Sequence, residues 1–74
     1  MKENDLKKLI AHQIKLLRKE KNLTQQSLGD FFDESQQNVQ EIERGTRNLG
    51  VFKLYKITKA LKLKLSEFFK LIGL

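Results

Sequence analysis

No cysteine occurs in this 74-residue chain, so neither a disulfide framework nor a thiolate metal site is available. Without such staples a domain this small has a marginal core, and a second chain is the natural source of further burial. The lack of cysteine also fits a reducing compartment. Proline is missing as well, which leaves the four glycines, at positions 29, 45, 50 and 73, as the breakers. There is a single histidine, His12, set in a lysine-rich stretch and read as a solvated side chain, and it is too little for a zinc site.

Long apolar runs are also absent. None could span a bilayer, and the N-terminal MKENDLKK lacks the apolar segment of a signal peptide. The expectation is an intracellular, cytoplasmic protein. No serine has an evident general base, no carboxylate pair shares a helix face with an apolar wall, and no glycine-rich phosphate loop occurs. Catalytic residues, a metal and a cofactor are therefore not expected, and the enzyme reading falls away.

What the chain has is positive charge and helical periodicity. Fifteen Lys and Arg against nine Asp and Glu give +6, which favours an anionic partner such as nucleic acid or a membrane surface. The lysines are spread over several helices, which counts against a membrane. Leu6, Leu9, Ile10, Ile14 and Leu17 form one helical stripe, with Asn4 as its candidate cap and an end near Lys21–Asn22. Thr24 caps a second helix of about eight residues, with Leu28 and either Phe31 or Phe32 as its apolar face. After a polar turn at Asp33–Glu34, Ser35 caps a third helix with Val39 and Ile42 inward. Gly50 opens a fourth, with Leu54, Ile57, Thr58 and Leu61 inward and Lys53, Lys56 and Lys59 on another face. Ser66 is the candidate cap of a fifth, running through Phe68, Phe69 and Ile72. No window alternates cleanly, so the expected class is all-α: one compact five-helix domain over residues 1–74.

Two short helices joined by a tight turn, each opened by a hydroxyl, describe a helix-turn-helix over about residues 24–43. At about 100° per residue, Val39 and Ile42 turn inward, so Gln37, Gln40, Glu41 and Arg44 turn outward and Gln36 projects from the first turn. A row of glutamines on an exposed helix suits the major groove, because glutamine pairs in bidentate fashion with adenine N6 and N7.

These segments resemble the Cro/C1-type (XRE) helix-turn-helix family of phage-repressor-like regulators. Leu23-Thr24-Gln25, Leu28 and Ile42-Glu43-Arg44-Gly45 carry the match, which covers roughly Ile14 to Phe69. Ser35-Gln36-Gln37 is similar to lambdoid phage repressors. Arg44 to Leu49, Lys56 to Leu61 and Ser66-Glu67-Phe68-Phe69 look more like restriction–modification controller proteins. The resemblance implies a lambda-repressor-like fold and a bacterial or phage protein associated with the nucleoid. It also implies residue roles. Gln36, Gln37, Asn38, Gln40 and Glu41 would meet bases. Gln25 would bond a phosphate and buttress Gln36, while Arg44, Thr46, Arg47 and Asn48 would hold phosphates. Arg18 and Glu43 match a structural ion pair. Two departures bear on stability: Gly29 replaces the usual alanine, at about 1 kcal/mol of helix propensity, and Gly50 stands where a hydroxyl cap is common.

The charge is displaced from the motif. From Thr24 to Glu43 there are five acids and no Lys or Arg, so phosphate attraction must come from Lys15, Lys19 and Lys21 on one side and Arg44 and Arg47 on the other. The C-terminal Phe68, Phe69, Leu71, Ile72 and Leu74 are more apolar than one helix face can hide, which predicts a symmetric homodimer through about residues 61–74 on a pseudo-palindromic operator. Asp30, Asp33 and Glu34 are candidates for touching RNA polymerase. The competing reading is a protein-interaction module of the same fold, such as an antitoxin-like partner-binding protein.

Overall fold

The computed structural model describes residues 1–74. Five helices follow one another without a strand: α1 (Glu3–Glu20), α2 (Gln25–Asp30), α3 (Gln36–Arg44), α4 (Val51–Ala60) and α5 (Leu65–Leu71). The all-α reading therefore holds.

Two of the three hydroxyl caps read from the sequence stand. Thr24 Oγ1 accepts the Ser27 N–H at 3.0 Å, and Ser35 Oγ accepts the Asn38 N–H at 3.1 Å; caps of this kind stabilise by about 1 kcal/mol each. Asn4 and Ser66 do not cap. The residue before α1 is Lys2 and the one before α5 is Lys64. In both places an acid three residues on supplies the bond instead: Asp5 Oδ2 accepts the Lys2 N–H at 3.4 Å, and Glu67 Oε1 accepts the Lys64 N–H at 2.9 Å. An acid in the first turn also meets the positive end of the helix dipole.

The helix ends share one device. Asn22, Asp33 and Lys62 adopt left-handed φ values of 56°, 59° and 62°. The next N–H in each case bonds five residues back: Leu23 to Arg18 O at 3.1 Å, Glu34 to Gly29 O at 2.9 Å, and Leu63 to Thr58 O at 2.9 Å. This closes the last carbonyls of α1, α2 and α4 and reverses the chain within a few residues.

Gly29 is what lets the α2–α3 turn close. A Cβ there would lie 2.3 Å from the Glu34 carbonyl oxygen and 3.2 Å from Val39 Cγ2. The glycine is thus required by packing, and the expected cost in helix propensity is outweighed. Gly45 closes α3 with φ 77°, and a Cβ on it would meet Lys8 Cα of α1 at 3.1 Å.

Eleven buried apolar residues make one core: Ile14 and Leu17 from α1, Leu28 and Phe32 from α2 and its turn, Val39 and Ile42 from α3, Leu54, Ile57 and Leu61 from α4 and its end, and Phe68 and Ile72 from α5 and its end. Phe32, not Phe31, is the residue turned inward. Phe68 and Ile72 belong to this core and are closed to a second chain. Of the apolar C-terminal residues, Leu71 and Leu74 are exposed and Phe69 is half-buried. The radius of gyration, 11.2 Å, equals the ~11 Å expected of a folded chain of this length. No helix is long and apolar enough to cross a membrane.

Candidate nucleic-acid interface

The site is α3 and the residues that hold it. Val39 and Ile42 anchor its inner face. Gln36, Gln37, Gln40 and Arg44 are exposed on the other side, Glu41 is half-exposed, and Thr46, Arg47 and Asn48 are exposed in the loop that follows. None of the three glutamines is used in a side-chain hydrogen bond within the protein, so their amides are open to a ligand.

α3 is fixed from behind by a charged fork. Arg18 Nε donates to Glu43 Oε2 at 2.6 Å and Arg18 Nη2 to Glu43 Oε1 at 3.1 Å. The third arm, Nη1, donates to the Leu23 carbonyl at 2.8 Å. Gln25 Nε2 adds a donor to Glu43 Oε1 at 3.2 Å. One carboxylate of α3 thus ties the C-terminal turn of α1, the linker and the first residue of α2. The side chains are 9% and 4% exposed, so the pair is shielded from water and salt. Gln25 spends its amide on Glu43 in this structure and makes no bond to Gln36.

A second anchor was not foreseen. Glu34, in the α2–α3 turn, accepts from Lys53 Nζ of α4 and from Asn38 Nδ2 at 2.6 Å. The Lys53 ammonium, then the Asn38 amide, hold the Glu34 carboxyl below its ordinary value of 4.5. The same bonds draw Asn38 to the flank of α3, away from the outward glutamines. They also remove Glu34 from any free acidic patch, leaving Asp30 and Asp33 exposed. Arg47 Nη1 lies 3.6 Å from Glu41 Oε2.

These pairs resolve the charge conflict. Of the five acids between Thr24 and Glu43, Glu34, Glu41 and Glu43 are each matched by a base from outside the segment: Lys53, Arg47 and Arg18. What remains beside α3 is a set of neutral amides flanked by exposed bases. No group of three or more side chains able to hold a metal gathers anywhere.

A family model described as helix-turn-helix matches residues 14–68, from the middle of α1 into α5. The chain belongs to the helix-turn-helix family. It is 40% identical over 57 residues to an uncharacterised HTH-type transcriptional regulator, y4dJ, of Sinorhizobium fredii (strain NBRC 101917 / NGR234), covering 77% of this chain and 74% of that one. It is 39% identical over 67 residues to the control protein C.MunI of a Mycoplasma species, covering 89% of this chain and 90% of that one. A second Sinorhizobium fredii regulator, y4wC, is 33% identical over 69 residues, and the chain spans 48% of its length. As a helix-turn-helix protein of the Cro/C1 type, the chain falls among DNA-binding transcriptional regulators.

The sequence reading placed Lys56 and Lys59 on an outward face of α4 but missed the aromatic side chains beside them. Phe52 and Tyr55 of α4, with Phe31 at the end of α2, are exposed. Lys56 Nζ sits 4.7 Å from the Phe52 ring centre and Lys59 Nζ 5.9 Å from that of Tyr55. The spacing was legible: at about 100° per residue, positions 52, 55, 56 and 59 share the face opposite Leu54, Ile57 and Leu61.

Proposed function

We propose that the protein is a sequence-specific transcriptional regulator that binds a pseudo-palindromic operator as a homodimer, with α3 in the major groove of each half-site. The observation that carries this is the outward face of α3: three glutamine amides without internal partners, on a helix held by the Arg18–Glu43 fork and the Glu34–Lys53 tie. Helix recognition needs such rigidity, because a bidentate amide–base pair is lost when the donor is displaced by a fraction of its bond length. Gln36, Gln37 and Gln40 are the base readers. Glu41 accepts from cytosine N4 when Arg47 leaves it for a phosphate. Arg44, Thr46, Arg47 and Asn48 hold the backbone beside the first turn of α4, and Gln25 joins them once its amide turns from Glu43. Asn38 stands at the flank of the readers. The likeness to a control protein supports a regulatory role.

Two recognition helices about 34 Å apart then meet successive major grooves on one face of the duplex. With about three phosphates neutralised per subunit, the log–log salt slope of binding is roughly −5. Selection of sites from a random duplex pool tests the reading. An enriched inverted repeat with half-sites one turn apart supports it; recovery of no preferred sequence contradicts it and favours a partner-binding module of the same fold.

A further inference from the structure

Half of the aromatic side chains lie on one surface. The chain has five Phe and one Tyr, and Phe31, Phe52 and Tyr55 are 65%, 68% and 46% exposed. They line one groove between the end of α2 and α4, together with Asp33, Lys56 and Lys59. Leaving three large rings in water forgoes the burial that a domain of this size needs most. Solvated lysine stems over two of the rings recover little of it.

We propose that this groove is where a second copy of the chain docks, so that the dimer forms through α2 and α4, not through the end of α5. The inference rests on the dimeric reading above and names its surface. Charge favours a second copy over another occupant. The groove has an acidic lip on the α2 side, Asp33, and a basic one on the α4 side, Lys56 and Lys59. A two-fold axis through it sets the acid of each chain against the lysines of the other, which is the self-complementarity that an isologous interface requires. An acidic or a basic partner would satisfy only one lip. The rings fill the centre, as aromatic anchors do in stable interfaces. The α5 end offers only Leu71 and Leu74 as exposed apolar side chains, and Val51, the first residue of α4, enlarges the α4 surface further. Position fits as well: α4 starts just after the loop carrying Arg47, so this surface lies next to the DNA-facing one without using it.

Sedimentation equilibrium of the full chain without DNA tests the surface independently of any operator. The wild type is expected to be dimeric at tens of micromolar. Phe52→Asp with Tyr55→Asp raises the dimer dissociation constant about thirtyfold or more, with the helical signal unchanged because both side chains are exposed. Leu71→Asp with Leu74→Asp leaves the dimer intact. A wild type that stays monomeric at hundreds of micromolar overturns the proposal, as does monomerisation by the α5 pair alone or a persistent dimer in the α4 pair. Should the α4 pair unfold, charge exchange decides. Asp33→Lys and Lys56→Glu chains are each monomeric alone and dimeric when mixed; a mixture that remains monomeric overturns the surface. Lysine is tolerated at the left-handed position 33, as Lys62 shows. Should site selection fail while these results hold, the DNA reading falls and the dimer surface stands.

Discussion

Arg18 and Glu43, 25 residues apart in the chain, meet through two hydrogen bonds of 2.6 and 3.1 Å. The pair joins α1 to α3 at the point where the linker to α2 is also held. Removing one partner leaves the other charged and shielded from water, at a cost of about 3–5 kcal/mol. A domain of this length has about 4–11 kcal/mol in total. Arg18→Ala and Glu43→Ala are therefore expected to be partly unfolded at 37 °C. The double replacement Arg18→Met with Glu43→Leu recovers most of the loss, since no charge is then buried alone. Urea titration of the three variants checks this, and single variants within about 1 kcal/mol of wild type would remove the pair from its structural role.

Gly29→Ala separates packing from propensity. Helix propensity alone predicts a gain of about 1 kcal/mol. The Glu34 carbonyl, 2.3 Å from the new Cβ, requires the turn to move, and overpacking against backbone costs about 1–3 kcal/mol. The expected result is a lower thermal midpoint, read by circular dichroism. A higher midpoint would mean that the α2–α3 turn yields freely.

Glu34 gives the protein an acid sensitivity of predictable sign. Its folded value lies below 4.5, chiefly through Lys53 and then Asn38. Its contribution is complete above the unfolded value and fades as pH falls below 4.5 through the folded value, because the unfolded chain takes the proton first. Wild type thus loses stability more steeply than Glu34→Gln below pH 4.5, and Lys53→Met removes most of that difference. Urea midpoints from pH 7 to 3 report it; parallel curves for wild type and Glu34→Gln would show that the tie between the turn and α4 contributes nothing.

Glu41→Gln leaves stability within about 0.5 kcal/mol, since the Arg47 pair is exposed. It releases Arg47 and removes a negative charge beside the backbone. Affinity for unrelated duplex is expected to rise, and the salt slope to steepen by about one per subunit. An unchanged slope would mean that Glu41 does not hold Arg47 back from phosphate on unrelated duplex.

Much of the architecture was legible because the signals are local. Hydroxyls at Thr24 and Ser35, helical stripes, and glycines at 45 and 50 each act within a turn of where they stand. Caps at Asn4 and Ser66 were misplaced because an acid at the third helical position, Asp5 or Glu67, does the same work from inside the helix. The C-terminal apolar run was read as excess, yet Phe68 and Ile72 are buried in the shared core, which no local pattern reveals. The meaning of Gly29 likewise depends on a carbonyl five residues away in a turn whose path the sequence does not specify. In the candidate site, the outward residues of α3 follow from helical phase alone. The partners of Glu34 and Glu41 do not, since Lys53 and Arg47 come from beyond the motif and meet it only once the chain has folded.

The central claim is that the glutamines of α3 read bases. Gln37 projects from the middle of the outward face, so its truncation is the sharpest probe. Binding free energies of wild type and Gln37→Ala should be measured on the selected operator and on every single base-pair substitution of one half-site. The account predicts that wild type loses about 1–3 kcal/mol at one base pair, and that this preference collapses in Gln37→Ala while those at other positions persist. Identical base preferences in the two proteins would contradict it.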